Sequence, residues 1–394
     1  MKRYTFTVLL AIVGIVGISF FYFHVNRTVS AHEKLLIETV SGDESEIEDM
    51  TLTGIMFSHN IDYSFELTKG QMKIGSNYLR FFDNYYAYSA AEMRLKELRQ
   101  KYKSFMRGKN NAYSLYEDQN FLVYGDLLLE KETNGEILIS MYDKEKEDKL
   151  EFSVPIPADL VRANYINIMD VQLYNQEVVL LLSTEEKDKQ EIWRISINAN
   201  QKKISDQSLV YRLDRGLDDE GNYKNHLYAE NSQLTKVKYM PLHVTETINN
   251  GGEFIKESHQ LFILNVESGE LMEIKLAEDV LNNSTVYVDS DHVYYLDKNG
   301  ELFRYNEGSD SFESVLKHNG LIRNHYNLLL EFAQNKLYVL KNEWHSAEET
   351  TDKVAELFII DLQTKQEVFH GIMDYSELQA SQFDFTAIYP KTFN

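Results

Sequence analysis

Short apolar runs separated by polar turns fill most of this chain, and they recur in the same internal order. In "VYYLDKNGELFRY", Val293 to Tyr305, two stretches rich in Val, Tyr, Leu and Phe flank a polar turn that ends in Asn299-Gly300. β-branched and aromatic residues suit a pleated strand, and Asn-Gly supplies the positive backbone angles of a type I′ turn. The pattern predicts a tight hairpin at Asn299-Gly300.

The same form returns along the chain. It appears in "EILISMYDKEKEDKLEF" (Glu136–Phe152), "EIWRISINANQKKI" (Glu191–Ile204), "QLFILNVESGELMEI" (Gln260–Ile274), "ELFRYNEGSDSFESVL" (Glu301–Leu316) and "ELFIIDLQTKQEVF" (Glu356–Phe369). The apolar starts, Ile137, Ile192, Leu261, Leu302 and Leu357, lie 55, 69, 41 and 55 residues apart. A strand such as "QEVVLLL" (Gln176–Leu182) or "NKLYVL" (Asn335–Leu340) precedes each copy, and further strands such as "YINIMDVQL" (Tyr165–Leu173) lie upstream again. Each unit reads as three or four antiparallel strands, the size of one β-propeller blade. The unbroken apolar runs agree, because a central blade strand is covered on both faces and loses its alternation. A β-sandwich shares the even strand spacing, but a four-strand period seen five times favours the propeller. "DYSFELTKGQMKI" (Asp62–Ile74), "NYLRFFDN" (Asn77–Asn84) and the tail "FDFTAIY" (Phe383–Tyr389) supply further strands. The tail is expected to complete a blade begun by the N-terminal segment. The expectation is an all-β propeller of six or seven blades.

These repeats resemble membrane-anchored, propeller-like proteins of the bacterial cell envelope, especially those of low-GC Gram-positive bacteria. The resemblance covers residues 110–375 and rests on pattern. The Trp-Asp ending of WD repeats, the paired glycines of kelch blades and the docking motif of quinoprotein dehydrogenases are missing. It implies an architecture and no single activity.

One segment breaks the β pattern. "SAAEMRLKELRQKYKSFMRGK" (Ser89–Lys109) opens with Ser89 and Glu92 spaced as a capping box. Met93, Leu95, Leu98, Tyr102, Phe105 and Met106 follow at mostly helical spacing, and Gly108 stands where a helix stops. A helix inserted over 89–107 is predicted. It carries Arg94, Lys96, Arg99, Lys101, Lys103 and Arg107 against Glu92 and Glu97.

The first residues read differently again. From Tyr4 to Phe23 the chain is apolar and uncharged, preceded by Lys2 and Arg3. Twenty residues at about 1.5 Å each span the roughly 30 Å hydrocarbon core of a bilayer. "VSA" (Val29–Ala31) has the form of a signal-peptidase site, but a cleavable core usually runs about 7–15 residues. The length favours a retained anchor, and the flanking charges put the N-terminus in the cytoplasm. The expected organisation is a cytoplasmic start and transmembrane helix (1–27), an acidic juxtamembrane linker (28–50) and an extracytoplasmic propeller (51–394) at the cell membrane.

Composition then narrows the chemistry. A formal charge of −22, from 62 acids against 40 Lys and Arg, argues against nucleic-acid partners. With no cysteine there are no disulfides, thiolate zinc sites, iron–sulfur clusters or cysteine nucleophiles. No HExxH, GxSxG, P-loop or GxGxxG occurs, and no cofactor or catalytic residue is assigned. The loop "LDRGLDDEGNY" (Leu213–Tyr223) offers Asp214, Asp218, Asp219 and Glu220 as hard oxygen ligands for calcium, without the register of an EF-hand. Trp193 and Trp344 read as core filling or as part of a binding surface. Asn282 and Asn283 stand in formal glycosylation sequons. On so acidic a chain, Arg94, Arg99, Lys103 and Arg107 are the expected contact for an envelope partner or the membrane. The sequence points to a membrane-tethered extracytoplasmic binding module, a sensor or accessory subunit. The alternative is an envelope hydrolase or lyase acting on glycans.

Overall fold

In a computed structural model, the structure describes residues 12–20, 36–58, 61–68, 71–76, 89–161, except 131–133, and 163–217. It further describes residues 223–229, 234–250, 253–275, 285–289, 291–309, 311–322, 326–343, 354–375 and 382–390. The chain divides into two compact units: Ala90–Arg323, and Met1–Ser89 together with Asn324–Phe393.

The unit Ala90–Arg323 carries four antiparallel sheets of four strands, each sheet built from strands that follow one another in the chain. Sheet 1 takes Leu115–Glu117, Phe121–Glu130, Asn134–Asp143 and Asp148–Pro155. Sheet 2 takes Tyr165–Tyr174, Glu177–Glu185, Lys189–Asn198 and Lys203–Asp214. Sheet 3 takes Asn225–Ala229, Tyr239–Asn250, Glu253–Asn265 and Leu271–Ile274. Sheet 4 takes Thr285–Val288, Val293–Leu296, Glu301–Asn306 and Ser311–Lys317. Each has the strand order of a propeller blade.

Sheet 2 shows why its sequence does not alternate. Every residue from Val178 to Thr184 is buried. Val178, Leu180 and Leu182 enter one apolar core with Val123 and Ile139 of sheet 1, while Val179 and Leu181 enter another with Leu242 and Leu264 of sheet 3. Both faces of the strand are covered, so a polar residue on either would be desolvated.

In the other unit, sheet 5 takes Tyr326–Ala333, Lys336–Glu343, Val354–Asp361 and Gln366–Asp374. Glu38–Gly42, from the stretch expected as linker, adds a fifth strand along Gln366–Asp374. Sheet 6 joins the two ends of the chain: Gln382–Pro390 pairs with Met50–Ser58, followed by Ile61–Thr68 and Gln71–Ser76. The tail therefore completes a sheet begun by the N-terminal segment, as its sequence suggests. Phe65 and Phe385 meet edge to face across this sheet, 5.2 Å apart. The six sheets found among the described residues account for the lower of the two expected blade counts.

The repeat has a second signature, in the turn between the third and fourth strands. Asp143, Asn198, Asn265, Asn306 and Asp361 occupy corresponding places in sheets 1 to 5, and each side chain accepts a backbone N–H two or three residues on. Four residues after Asp143, Asn198, Asn265 and Asp361 the backbone turns left-handed, at Glu147, Lys202, Gly269 and Lys365. Sheet 6 has no such turn, since Thr68 and Gln71 are separated by two residues.

The hairpin at 293–305 forms, with Tyr294, Tyr295 and Leu296 opposite Arg304, Phe303 and Leu302, but its turn is not the two-residue type I′ expected. Gly300 takes a positive φ of 77° and Asn299 does not. Asp297 is the cause: its carboxylate accepts from the N–H groups of Asn299 (2.9 Å) and Glu301 (2.8 Å), closing a longer loop. Positive φ at both central residues of a two-residue turn occurs instead at Asn175-Gln176 and Gln334-Asn335.

Residues 12–20 are helical and exposed, and the rest of the N-terminal apolar run lies outside the described residues. Among the described residues no helix is long and apolar enough to cross a membrane. The strand expected over 77–84 also lies outside them.

Candidate functional site

Helix α1 spans Ala90–Lys101, shorter than the 89–107 read from sequence. Beyond it the chain continues in turns, with Met106 N–H donating to Tyr102 O (2.9 Å), and leaves the helical direction at Gly108, whose φ is +79°. Ala91, Leu95 and Leu98 recur at helical spacing and are buried, as are Met93 and then Phe105 and Met106. Tyr102 and Phe105 each lie 5.5 Å from the ring of Tyr142 in sheet 1. Aromatic packing thus fixes the segment against that sheet.

The four cations singled out in the sequence separate into two kinds. Arg94 turns inward. Its Nε and Nη2 donate to the two carboxylate oxygens of Glu117 (2.7 and 2.9 Å), and Nη1 donates to Glu97 (2.8 Å). Lys144 Nζ completes the cluster, donating to Glu117 (2.6 Å) and to the Asp118 carbonyl (2.6 Å). Burial raises the Glu117 pKa, but the hydrogen bonds and charges of Arg94 and Lys144 outweigh it and hold the carboxyl below its ordinary value. Arg99 is half-buried and engaged. Lys103 and Arg107, in contrast, are exposed and have no partner among the described residues. Lys101, also exposed, lies over the Tyr102 ring at 5.3 Å. Lys101, Lys103 and Arg107 therefore leave three exposed cations within seven residues of chain.

A further lysine was missed in the sequence. Lys109 is 8 % exposed and lies over the faces of Phe105 (4.7 Å) and Tyr124 (5.6 Å). Desolvation lowers its pKa, and the nearby charge of Lys149 lowers it further against the pull of Glu151 and Asp126. Its signal in the sequence was only its place after Gly108, which reads as a helix stop. What holds it is the aromatic pair brought together by the fold.

The calcium candidates stand apart. Asp214 ends the last strand of sheet 2 with its side chain exposed, and its carbonyl accepts from Asn225 Nδ2 (2.8 Å). Asp218, Asp219 and Glu220 lie outside the described residues. Among the described residues no three His, Asp or Glu side chains gather as a metal site. Trp193 packs against the core shared by sheets 1 and 2, and its indole N–H donates to Glu191 (2.9 Å). Trp344, Asn282 and Asn283 lie outside the described residues.

The architecture defines the class: an all-β protein of repeated four-stranded antiparallel sheets with few helices. No family model matches the chain, and no curated protein matches it. Among solved structures it is similar to the polysaccharide lyase Uly1, at 12 % identity and a TM-score of 0.36, over 66 % of this chain and 57 % of that one. It is similar also to the N-terminal domain of Nup159, at 10 % identity and a TM-score of 0.32, over 66 % of this chain and 60 % of that one. A third is an oligogalacturonate lyase in complex with manganese, at 10 % identity and a TM-score of 0.32, over 65 % and 71 %. The chain thus spans less than two thirds of the length of the first two.

Proposed function

We propose that this chain is a membrane-tethered extracytoplasmic binding module, a six-bladed propeller acting as sensor or accessory subunit. The apolar run from Tyr4 to Phe23 is its anchor, and Lys101, Lys103 and Arg107 rest on anionic headgroups. The observation that carries this reading is the division among the cations of the helical segment. Arg94 is consumed by Glu117, while Lys103 and Arg107 stand exposed and unpaired on a chain whose formal charge is −22. So acidic a surface offers intramolecular partners freely, and these two side chains take none among the described residues. Cations near an anionic bilayer are attracted over about one Debye length, roughly 8 Å at physiological salt.

The test uses the full chain in vesicles of zwitterionic lipid alone or with anionic lipid added. Amine labelling of Lys101 and Lys103 should slow in the anionic vesicles and recover in high salt. Labelling of Lys187, in a turn of sheet 2, serves as the internal control. Equal labelling of Lys103 in both vesicles would remove the membrane contact, and protection that appears only with a cell extract would assign these cations to an acidic protein partner.

A further inference from the structure

The unit that joins the chain ends holds a cleft of about 280 Å³, lined by residues of Ser45–Met50, of the turn and strand Gln334–Tyr338, and by Pro390. Tyr338 is 3 % exposed, yet it lines this cleft and its hydroxyl has no hydrogen-bond partner among the described residues. Its ring is buried while the hydroxyl opens to the cleft, so an occupant can take the hydrogen bond that solvent otherwise makes. Lys336 and Glu46, both lining the cleft, form an ion pair. The Asp49 carboxylate and the Gln334 amide also line the cleft and have no partner among the described residues. Burial, and then the charge of Glu46, push the Tyr338 pKa up to about 12, so the phenol stays protonated and can donate.

We infer that this cleft binds a single sugar ring that is neutral or carries one ammonium group. Its lining mixes donors and acceptors: the phenol and lysine donate, the two carboxylates accept, and the Gln334 amide does both. Sugar hydroxyls donate and accept at once, which suits such a mixed set. Two carboxylates against one ammonium leave a net negative charge that repels an anionic ligand and attracts an amine. Pro390 gives an apolar wall for the C–H face of a ring, and the volume is at the small end for small-molecule sites. The inference is independent of the membrane contact, which lies in the other unit.

The experiment titrates the full chain with glucose, glucosamine and glucuronate, followed by saturation-transfer NMR. Glucosamine should bind more tightly than glucose, and glucuronate should give no saturable signal. Tyr338→Phe should weaken both about fivefold through the lost hydrogen bond, at nearly unchanged melting temperature. Asp49→Asn, at an exposed position, should abolish the preference for the amine. No binding of either neutral or amino sugar, binding that survives Asp49→Asn with its preference intact, or glucuronate binding as well as glucose would overturn the assignment. Were Tyr338→Phe to unfold the protein, the Asp49→Asn result decides alone.

Discussion

Arg94 grips Glu117 at both carboxylate oxygens, at 2.7 and 2.9 Å, and so spends on the interior a charge that the sequence presents as part of a basic surface. The side chains are 14 % and 5 % exposed, so the pair is largely shielded from water. Removing one partner of a shielded pair strands the other charge, at a cost of about 3 kcal/mol. Glu117→Gln and Arg94→Gln should each lower stability by that order in chemical denaturation, whereas Lys103→Gln should stay within about 0.5 kcal/mol. The Glu117 carboxyl titrates below its ordinary value of 4.5 in the folded protein. Its contribution is therefore complete above that value and lost as the pH falls through the depressed one. The wild type should lose stability in acid more steeply than Glu117→Gln does.

The recurring left-handed residue gives a second prediction. Gly269 has φ +79°, and a β-carbon there would come within 3.0 Å of Arg194 Cδ. Gly269→Ala should destabilise by about 1–2 kcal/mol through backbone strain. Lys202 occupies the corresponding place in sheet 2 at φ 52° and already bears that strain. Lys202→Gly should accordingly raise the melting temperature slightly, by relief worth about 0.5–1 kcal/mol. A fall on Lys202→Gly would mean that its side chain, rather than its backbone, matters in the turn.

Leu180 and Leu181 test the two-sided burial of sheet 2. Leu180 enters the core shared with sheet 1 and Leu181 the core shared with sheet 3, both fully buried. Leu180→Ala and Leu181→Ala should each cost about 2–5 kcal/mol by cavity formation. A solvent-facing strand would lose much less at one of the two positions, so a large asymmetry in denaturation midpoints would count against this packing.

These particulars show where the sequence speaks and where it falls silent. Five of the six sheets are legible because each repeats an apolar third strand followed by an Asp- or Asn-capped turn, as at Asn198 and Asp361. The sixth lacks that turn, yet its pairing of chain regions more than 320 residues apart was legible from the strand-like tail, and Met50 stands opposite Pro390. Asn299-Gly300 misled on turn type because the competing acceptor, Asp297, acts through its side chain. The helix was legible from its apolar spacing. The fate of its cations was not, since charge counting cannot tell that Glu117 lies within reach of Arg94 and not of Lys103. Tyr338 and Lys109 carry no local signal, because their burial depends on neighbours distant in sequence.

Glu331 supplies the last prediction. It stands in the middle of Tyr326–Ala333, between Leu329 and Ala333, which pack on the core of their unit, and opposite Tyr338 in the register. It keeps some contact with solvent, yet protein atoms crowd it, and this desolvation pushes its pKa from 4.5 up to about 8. An acid with a raised folded-state pKa holds a proton that the unfolded chain gives up. Stability therefore falls as the pH rises from about 4.5 to about 8, and levels off above. Glu331→Gln keeps the shape and removes the proton. It should flatten that slope and stabilise the protein at pH 8 by about 1–3 kcal/mol, less than the full shift implies because water still reaches the side chain. Asp384, also raised by burial, adds a slope of the same sign that the variant retains. Denaturation curves at pH 5 and pH 8 decide the matter: if the difference between them is the same in wild type and Glu331→Gln, the proton held in the folded state resides elsewhere.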